Sequence, residues 1–354
     1  MGDLESWGWD AGWEKVFREG RFAGHPYRVV EEQRGLYRIT DGRADYEAEV
    51  TGRFRFEAGA DPTRYPAVGD FVAAIPETRH RIEAVLPRRT VFERKAAGLR
   101  SDHQVAGANV DVAFVVESAE RDLSPRRIER YLTLAYDGGA SPVLVLNKAD
   151  RADDPAGLVT EAMDSAPGVP IHLVSALDGM GLSELGVYLQ PGVTVVLLGL
   201  SGVGKSTLTN ALLGMALQAT GRVRDEDQRG RQTTTSRTLF RLSEGALLLD
   251  TPGMREMGMV EAEEGLGQVF ADVEGLALSC RFTDCRHEAE PGCEIRAAVD
   301  AGRLPEERLQ SWRRLMREMA YQARKENRAL WAEERRLWTQ RSREGRANRE
   351  RKMR

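Results

Sequence analysis

The sequence predicts a multidomain chain: an all-β barrel, then a doubly wound α/β domain, then a small, mainly α-helical metal-binding module. Three observations predict it. Between about Val29 and Glu93, short alternating apolar runs recur between turn signals, the texture of a small barrel. From about Asn109 to Pro252, buried-type apolar runs alternate with stretches of helical spacing. That alternation builds a mostly parallel sheet with ligands at the C-terminal ends of its strands. After about Glu261 the chain turns polar, and its only three cysteines, Cys280, Cys285 and Cys293, fall in one short segment.

Taken in order, residues 1–33 form an N-terminal extension. Leu4, Trp7, Trp9, Trp13, Val16 and Phe17 suit a short amphipathic helix that packs on a neighbouring domain, with Gly8 and Gly12 weakening it. The barrel is expected over 34–95, with strands at Leu36–Ile39, Tyr46–Val50, Gly69–Ile75 and Arg81–Val85. Its size fits an oligonucleotide-binding (OB) fold. Arg53, Phe54, Arg55 and Phe56 are expected to be exposed, as a face for base stacking and phosphate contact.

The α/β domain is expected over 96–262. Val110–Val116, Val143–Leu146, Ile171–Val174, Val193–Leu198 and Ala246–Leu249 read as buried strands. Pro125–Tyr136, with Ser124 as N-cap, and Asp154–Met163 read as helices. The metal module is expected over 263–354. Trp312, Leu315, Met316, Met319 and Ala320, then Leu330, Trp331, Leu337 and Trp338, give helical spacing before a basic tail.

At 354 residues, 30% charged and 41% apolar, the chain has the composition of a globular protein with room for several cores. No stretch is apolar for long enough to span a bilayer, and the acidic start, MGDLESWGWD, lacks the order of a signal peptide. A cytoplasmic monomer with no membrane partner, in the absence of a dimer seam, is the expectation. Charge is unevenly spread. Residues 303–354 carry 17 Lys/Arg against 8 Asp/Glu, so +9, which leaves −13 on the rest of a chain whose net charge is −4. A basic arm on an acidic body suits contact with nucleic acid.

The chemistry starts at Gly199-Leu200-Ser201-Gly202-Val203-Gly204-Lys205-Ser206, which is G-x-x-x-x-G-K-S between a strand and a helix. Gly199, Ser201, Gly202, Val203, Gly204, Ser206 and Thr207 are expected to cradle phosphates with backbone N–H groups and the helix N-terminus. Lys205 would reach the β- and γ-phosphates, and the Ser206 hydroxyl would bind Mg²⁺. Asn147-Lys148-Ala149-Asp150 follows the strand ending at Leu146. N-K-x-D at a strand end reads guanine: Asp150 accepts from N1–H and the 2-amino group, Asn147 braces the loop, and Lys148 covers the base. Ser175-Ala176 fits the companion loop, whose N–H meets guanine O6. Asp250, in Asp250-Thr251-Pro252-Gly253, would reach Mg²⁺, and the Gly253 N–H the γ-phosphate. In Thr233-Thr234-Thr235, Thr234 is favoured to complete Mg²⁺ coordination. Cys280-x4-Cys285-x-His287-x5-Cys293 offers the four ligands of a closed structural zinc site.

The order of these motifs is unusual. N-K-x-D and S-A precede the phosphate loop, the threonines and D-T-P-G. The same sheet can be built from this order by a circular permutation of the chain.

A small barrel, a permuted GTPase carrying these motifs and then C-x4-C-x-H-x5-C together resemble the RsgA family of ribosome small-subunit-dependent GTPases, over nearly the whole chain from about Val29 to Gln340. The resemblance implies an OB barrel, GTP hydrolysis to GDP stimulated by the small ribosomal subunit, binding to that subunit and its rRNA, and a role in its late maturation. The family usually places histidine before the threonines; this chain has Gln232. Met254 stands where many GTPases place a water-orienting glutamine. Gln232, which can both donate and accept, is therefore expected to act with Lys205 and Thr234 in catalysis. The alternative is a GTP-dependent switch acting on a non-ribosomal protein partner, against which the basic tail and the OB face count.

Overall fold

The computed structural model describes residues 3–33, 35–59, 61–95, 103–220, 237–242, 244–250, 263–288 and 290–321. They fall into two compact units, the second comprising mainly the described residues from Asp272 on.

The first unit opens with a single 3-10 turn, Leu4–Trp7, and helix α1 (Ala11–Glu19). The Asp10 carboxylate caps α1 by accepting from the Trp13 N–H at 2.9 Å. Trp9 and Trp13 are buried, with their rings 5.1 and 4.7 Å from that of Phe71. Leu4, Trp9 and Trp13 thus pack with Phe71 and Leu86, as their spacing suggests, whereas residues 25–33, expected in the extension, form the first strand of the barrel.

Five strands close a barrel: β1 (His25–Gln33), β2 (Leu36–Thr40), β3 (Asp45–Val50), β4 (Phe71–Ile75) and β5 (His80–Val85), in the order β1-β2-β3-β5-β4 with β4 returning to β1. Tyr27, Val29, Ile39, Val50, Val72 and Ile82 fill it. Between β3 and β4 lies α2 (Gly52–Ala58), capped by the Thr51 hydroxyl, which accepts from the Phe54 N–H at 3.1 Å. This corrects the expected stacking face at Phe54, while Arg53, Arg55 and Phe56 are exposed. On a helix, Phe54 and Ala58 share a side, and both are buried in the barrel core. Phe56 remains 88% exposed, and Arg53 points outward into an ion pair with Glu57 at 2.7 Å.

A two-stranded ribbon follows, β6 (Val91–Lys95) with β7 (His103–Ala108). The α/β sheet comprises β8 (Val112–Ser118), β9 (Ser141–Asn147), β10 (Ile171–Val174), β11 (Thr194–Leu198), β12 (Arg237–Arg241) and β13 (Leu247–Asp250). Its order is β10-β9-β8-β11-β13-β12, all parallel except β12. Helices α3 (Pro125–Asp137), α4 (Pro155–Ser165), α5 (Lys205–Thr220) and α6 (Glu263–Val269) belong to it. Ser124 takes the N-cap position of α3, but its carbonyl, not its hydroxyl, accepts from Arg127 and Ile128. Phe114, Val116, Val145, Val195, Leu208 and Leu248 lie in one buried cluster.

Barrel and α/β sheet are continuous. β12 pairs with β1, at Thr238 with Glu31 and Arg237 with Glu32, so eleven strands form one sheet. Two buried arginines tie the joint. Arg237 donates to Glu32 at 3.2 Å and to the Val105 carbonyl at 2.7 Å. Arg28 donates to the carbonyls of Trp7 at 2.7 Å and Asn109 at 3.1 Å and to the Thr194 hydroxyl at 3.0 Å, and lies 4.4 Å over the Phe71 ring. Burial pulls its pKa down to about 10, so it stays charged at neutral pH.

The second unit contains α7 (Ala271–Ala277), a cysteine-bearing loop, α8 (Glu294–Asp300) and a helix, α9, over 306–321. Arg308 on α9 pairs with Asp272 through two bonds of 2.5 and 2.8 Å. No helix among the described residues is long and apolar enough to cross a membrane.

Candidate nucleotide edge and metal cluster

Parallel strands set their C-terminal ends on one edge of the sheet. Here that edge gathers Ser118 from β8, Asn147 from β9, Val174 from β10, Leu198 from β11 and Asp250 from β13. Motifs scattered over a hundred residues of sequence thus meet at one edge, whatever order the chain visits them in.

At the end of β11 the loop 199–204 turns into α5. Gly199 adopts φ +140, and a Cβ there would lie 2.3 Å from the Val116 carbonyl oxygen. Gly204 adopts φ +97, and a Cβ there would lie 2.2 Å from Asn147 Nδ2. Neither position accepts a side chain. Val203 is buried, Ser201, Gly202, Ser206 and Thr207 are exposed, and Ser206 and Thr207 lie in the first turn of α5. The Lys205 ammonium lies over the loop and donates to the carbonyls of Gly199 at 2.6 Å and Leu200 at 2.5 Å.

Asn147 is buried and holds two loops together. Its amide donates to the Val203 carbonyl at 3.0 Å, and its Oδ1 accepts from the Ala176 N–H at 3.0 Å. The phosphate loop, N-K-A-D and S-A are therefore fixed to one another through one side chain. Asp150 accepts from the Ser175 hydroxyl at 2.8 Å, which leaves Oδ2 to face outward toward Arg151 at 3.8 Å. Lys148 takes a left-handed conformation, φ +66, and its ammonium meets Glu120 at 2.8 Å. Asp250 is exposed at the end of β13, opposite Thr238 of β12. Gln232, Thr233, Thr234, Thr235, Gly253 and Met254 lie outside the described residues, as does the basic arm beyond 321.

Sequence reasoning missed Glu120, which ties down Lys148 and also Arg151, the latter at 2.9 Å. Bonds from Lys148 and Arg151 hold its carboxyl below the usual carboxylate range. An exposed glutamate in a polar loop belongs to no motif, and no signal in the sequence marks it. Arg28 and Arg237 were missed too, because an arginine in a strand reads as outward-facing.

In the second unit, Cys280, Cys285, His287 and Cys293 each bring one ligand atom to within 4.8 Å of the others. Cys280 Sγ and Cys293 Sγ lie 3.5 and 3.6 Å from His287 Nδ1. Zn–S bonds of about 2.3 Å in a tetrahedron give edges of roughly this length, so the donor set fits a metal ion. His287 reaches the cluster from a left-handed backbone, φ +60, with its ring edge-on to Trp312 at 5.6 Å and its carbonyl accepting from Arg313. Cys293 caps α8, its sulfur accepting from the Arg296 N–H at 3.5 Å. Burial raises the Cys280 thiol, but hydrogen bonds with the Glu294 and Ile295 N–H groups and with Cys293 and Cys285 together bring it below its usual value. Desolvation and the two neighbouring sulfurs push Cys285 up to about 11. Three thiols this close cannot all ionise without a cation among them.

Residues 85–260 match the family model described as RsgA GTPase. A relative from Streptomyces coelicolor, "Small ribosomal subunit biogenesis GTPase RsgA", is 46% identical over 320 residues, covering 89% of this chain and 86% of its own length. The chain belongs to the RsgA GTPase family. It is a GTP hydrolase, and the motif order seen in its sequence is a circular permutation with solved counterparts. YjeQ from Thermotoga maritima superposes with a TM-score of 0.63 at 27% identity, over 83% of this chain and 98% of its own. YloQ, described as a circularly permuted GTPase, does so with 0.60 at 25% identity, over 84% and 95%.

Proposed function

We propose that this GTPase binds the small ribosomal subunit and its rRNA and hydrolyses GTP to GDP during late maturation of that subunit. The observation that carries the nucleotide half is Asn147, which locks the phosphate loop to both guanine loops. A site built that way is preorganised for one base and one phosphate chain, so the cost of ordering it falls outside binding. The ribosomal half is supported by the names of the relatives, the OB-like barrel and the +9 charge over 303–354.

In this reading Asp150 accepts from guanine N1–H and its 2-amino group, a pairing adenine cannot offer. The Ala176 N–H meets O6, and the stem of Lys148 covers the ring. N–H groups from Gly199 to Thr207 surround the phosphates, and Lys205 moves from its loop carbonyls to the β- and γ-phosphate oxygens. Mg²⁺, when bound with GTP, spreads charge off the phosphates; Ser206, Thr234 and, through water, Asp250 are its proposed partners. Gly253 donates to the γ-phosphate, and Gln232 orients the attacking water. Zinc is the ion we assign to Cys280, Cys285, His287 and Cys293, where it would fold the module and take no part in hydrolysis. The protein acts in the cytoplasm, as a monomer, without a membrane partner.

The test is binding to purified small subunits in the presence of a non-hydrolysable GTP analogue or GDP. Expected is tight, analogue-dependent binding that weakens steeply with salt, as phosphate contacts do. Equal and salt-insensitive binding in both states would overturn the ribosomal reading.

A further inference from the structure

We infer that Glu120 is a positioning residue for the guanine base, acting through Lys148 and Arg151; the inference rests on the reading of Asn147–Asp150 as the guanine reader. Glu120 lies in the loop between β8 and α3, outside every motif. The Ala119 N–H donates to the Asn147 carbonyl at 2.7 Å, which laces this loop to the reader and brings Glu120 beside it. The carboxylate is then divided between two cations. Oε2 accepts from the Lys148 ammonium at 2.8 Å, and Oε1 from Arg151 Nη1 at 2.9 Å.

Each cation matters to the base in a different way. The Lys148 stem runs past the phosphate loop, its Cε 3.9 Å from where a Cβ on Gly204 would lie, and ends on Glu120. A flexible four-carbon stem is thereby held at both ends, at no further entropic cost when a purine lies on it. Arg151 stands between two carboxylates, bonded to Glu120 and 3.8 Å from Asp150 Oδ2. Glu120 therefore keeps Arg151 from closing on Asp150 Oδ2, the oxygen that the Ser175 bond leaves open for guanine. Removal of the charge at 120 releases the lysine and lets the arginine compete for the reader.

The experiment compares full-length wild type, Glu120→Gln, Glu120→Asp, Glu120→Gln with Arg151→Ala, and Asp150→Asn. Fluorescent GDP and GTP report Kd, guanosine and inorganic pyrophosphate serve as competitors, and kcat is read at saturating GTP. For Glu120→Gln, Kd for both nucleotides should rise about three- to tenfold, the scale of two partly exposed ion pairs. The rise should shrink at high KCl, appear with guanosine and not with pyrophosphate, and leave kcat within about twofold. Glu120→Asp, one methylene short of both cations, should lie between the two, and the added Arg151→Ala should recover part of the loss. If Asp150→Asn loses GTP affinity but Glu120→Gln does not, or if Glu120→Gln lowers kcat alone, the role of Glu120 is overturned. If Asp150→Asn binds GTP as wild type does, the guanine-reader assignment itself falls, and the inference with it.

Discussion

The nucleotide edge and the Cys/His cluster hold their functional atoms by opposite means. At the edge, five parallel strands with a buried core fix the loops, and one side chain, Asn147, joins three of them by bonds of 3.0 Å to the Val203 carbonyl and the Ala176 N–H. The site is a by-product of a sheet that would fold without a ligand. In the cluster, two seven-residue helices, α7 and α8, flank a loop that carries all four donors, the last of them Cys293 at the N-cap of α8. There the buried apolar side chains are few, Val273, Ile295, Ala298, Leu304 and Leu309 among them. A large domain can afford an incomplete site; a module of some fifty described residues is near the size at which metal replaces missing apolar burial.

The largest effect should come from breaking the cluster. Structural zinc sites contribute on the order of 10 kcal/mol or more to folding. Chelation, or Cys293→Ser, should therefore abolish amide protection across 272–321, while GTP binding by the first unit persists. Hydrogen exchange read together with nucleotide binding checks both halves; retained protection after demonstrated metal loss would mean the helices stand by themselves. Asp150→Asn comes next. It should cost GTP about a hundredfold in affinity, because the new amide NH2 meets the guanine 2-amino group donor to donor, and favour xanthosine triphosphate, whose 2-oxo group accepts there. Calorimetric titration with both nucleotides decides it.

Asn147→Ala should be milder but broader. It leaves a buried carbonyl and N–H unpaired, worth about 1–3 kcal/mol each way. Both the melting temperature and GTP affinity should fall, which distinguishes a brace from a simple ligand. The smallest effect belongs to Asp10. Its bonds from Arg89 and then the Trp13 N–H hold its carboxyl below the ordinary 3.8. A carboxylate with a lowered folded-state pKa adds stability above its unfolded value and loses it as pH falls through the folded one. That contribution should therefore fade only below about pH 3.8. Asp10→Asn keeps an N-cap acceptor and loses the ion pair, so at neutral pH it should cost under about 1 kcal/mol. Urea unfolding at pH 7 and pH 3 checks the sign.

The comparison also explains what could be read from sequence. The loop 199–204, the Asn147–Asp150 turn and the cysteine spacing were legible as candidates because each is local: Gly199 and Gly204 answer to close approaches by the Val116 carbonyl and the Asn147 amide, and donor spacing answers to a tetrahedron. Strands with one apolar face were legible for the same reason. What escaped depends on contacts between distant segments. β1 and β12 carry the buried Arg28 and Arg237, so their polarity hides the joint that merges barrel and α/β sheet. Phe54 was expected outside because a Thr51 cap turns an alternating run into a helix. Glu120 became visible only when the fold put its loop against Lys148.

The measurement that tests the central claim most directly is phosphate release from GTP, with ATP as control, with and without purified small ribosomal subunits. The account predicts slow intrinsic turnover of GTP, none of ATP, and strong stimulation by the subunit. Hydrolysis of ATP at a comparable rate, or GTP turnover indifferent to the subunit, would contradict it.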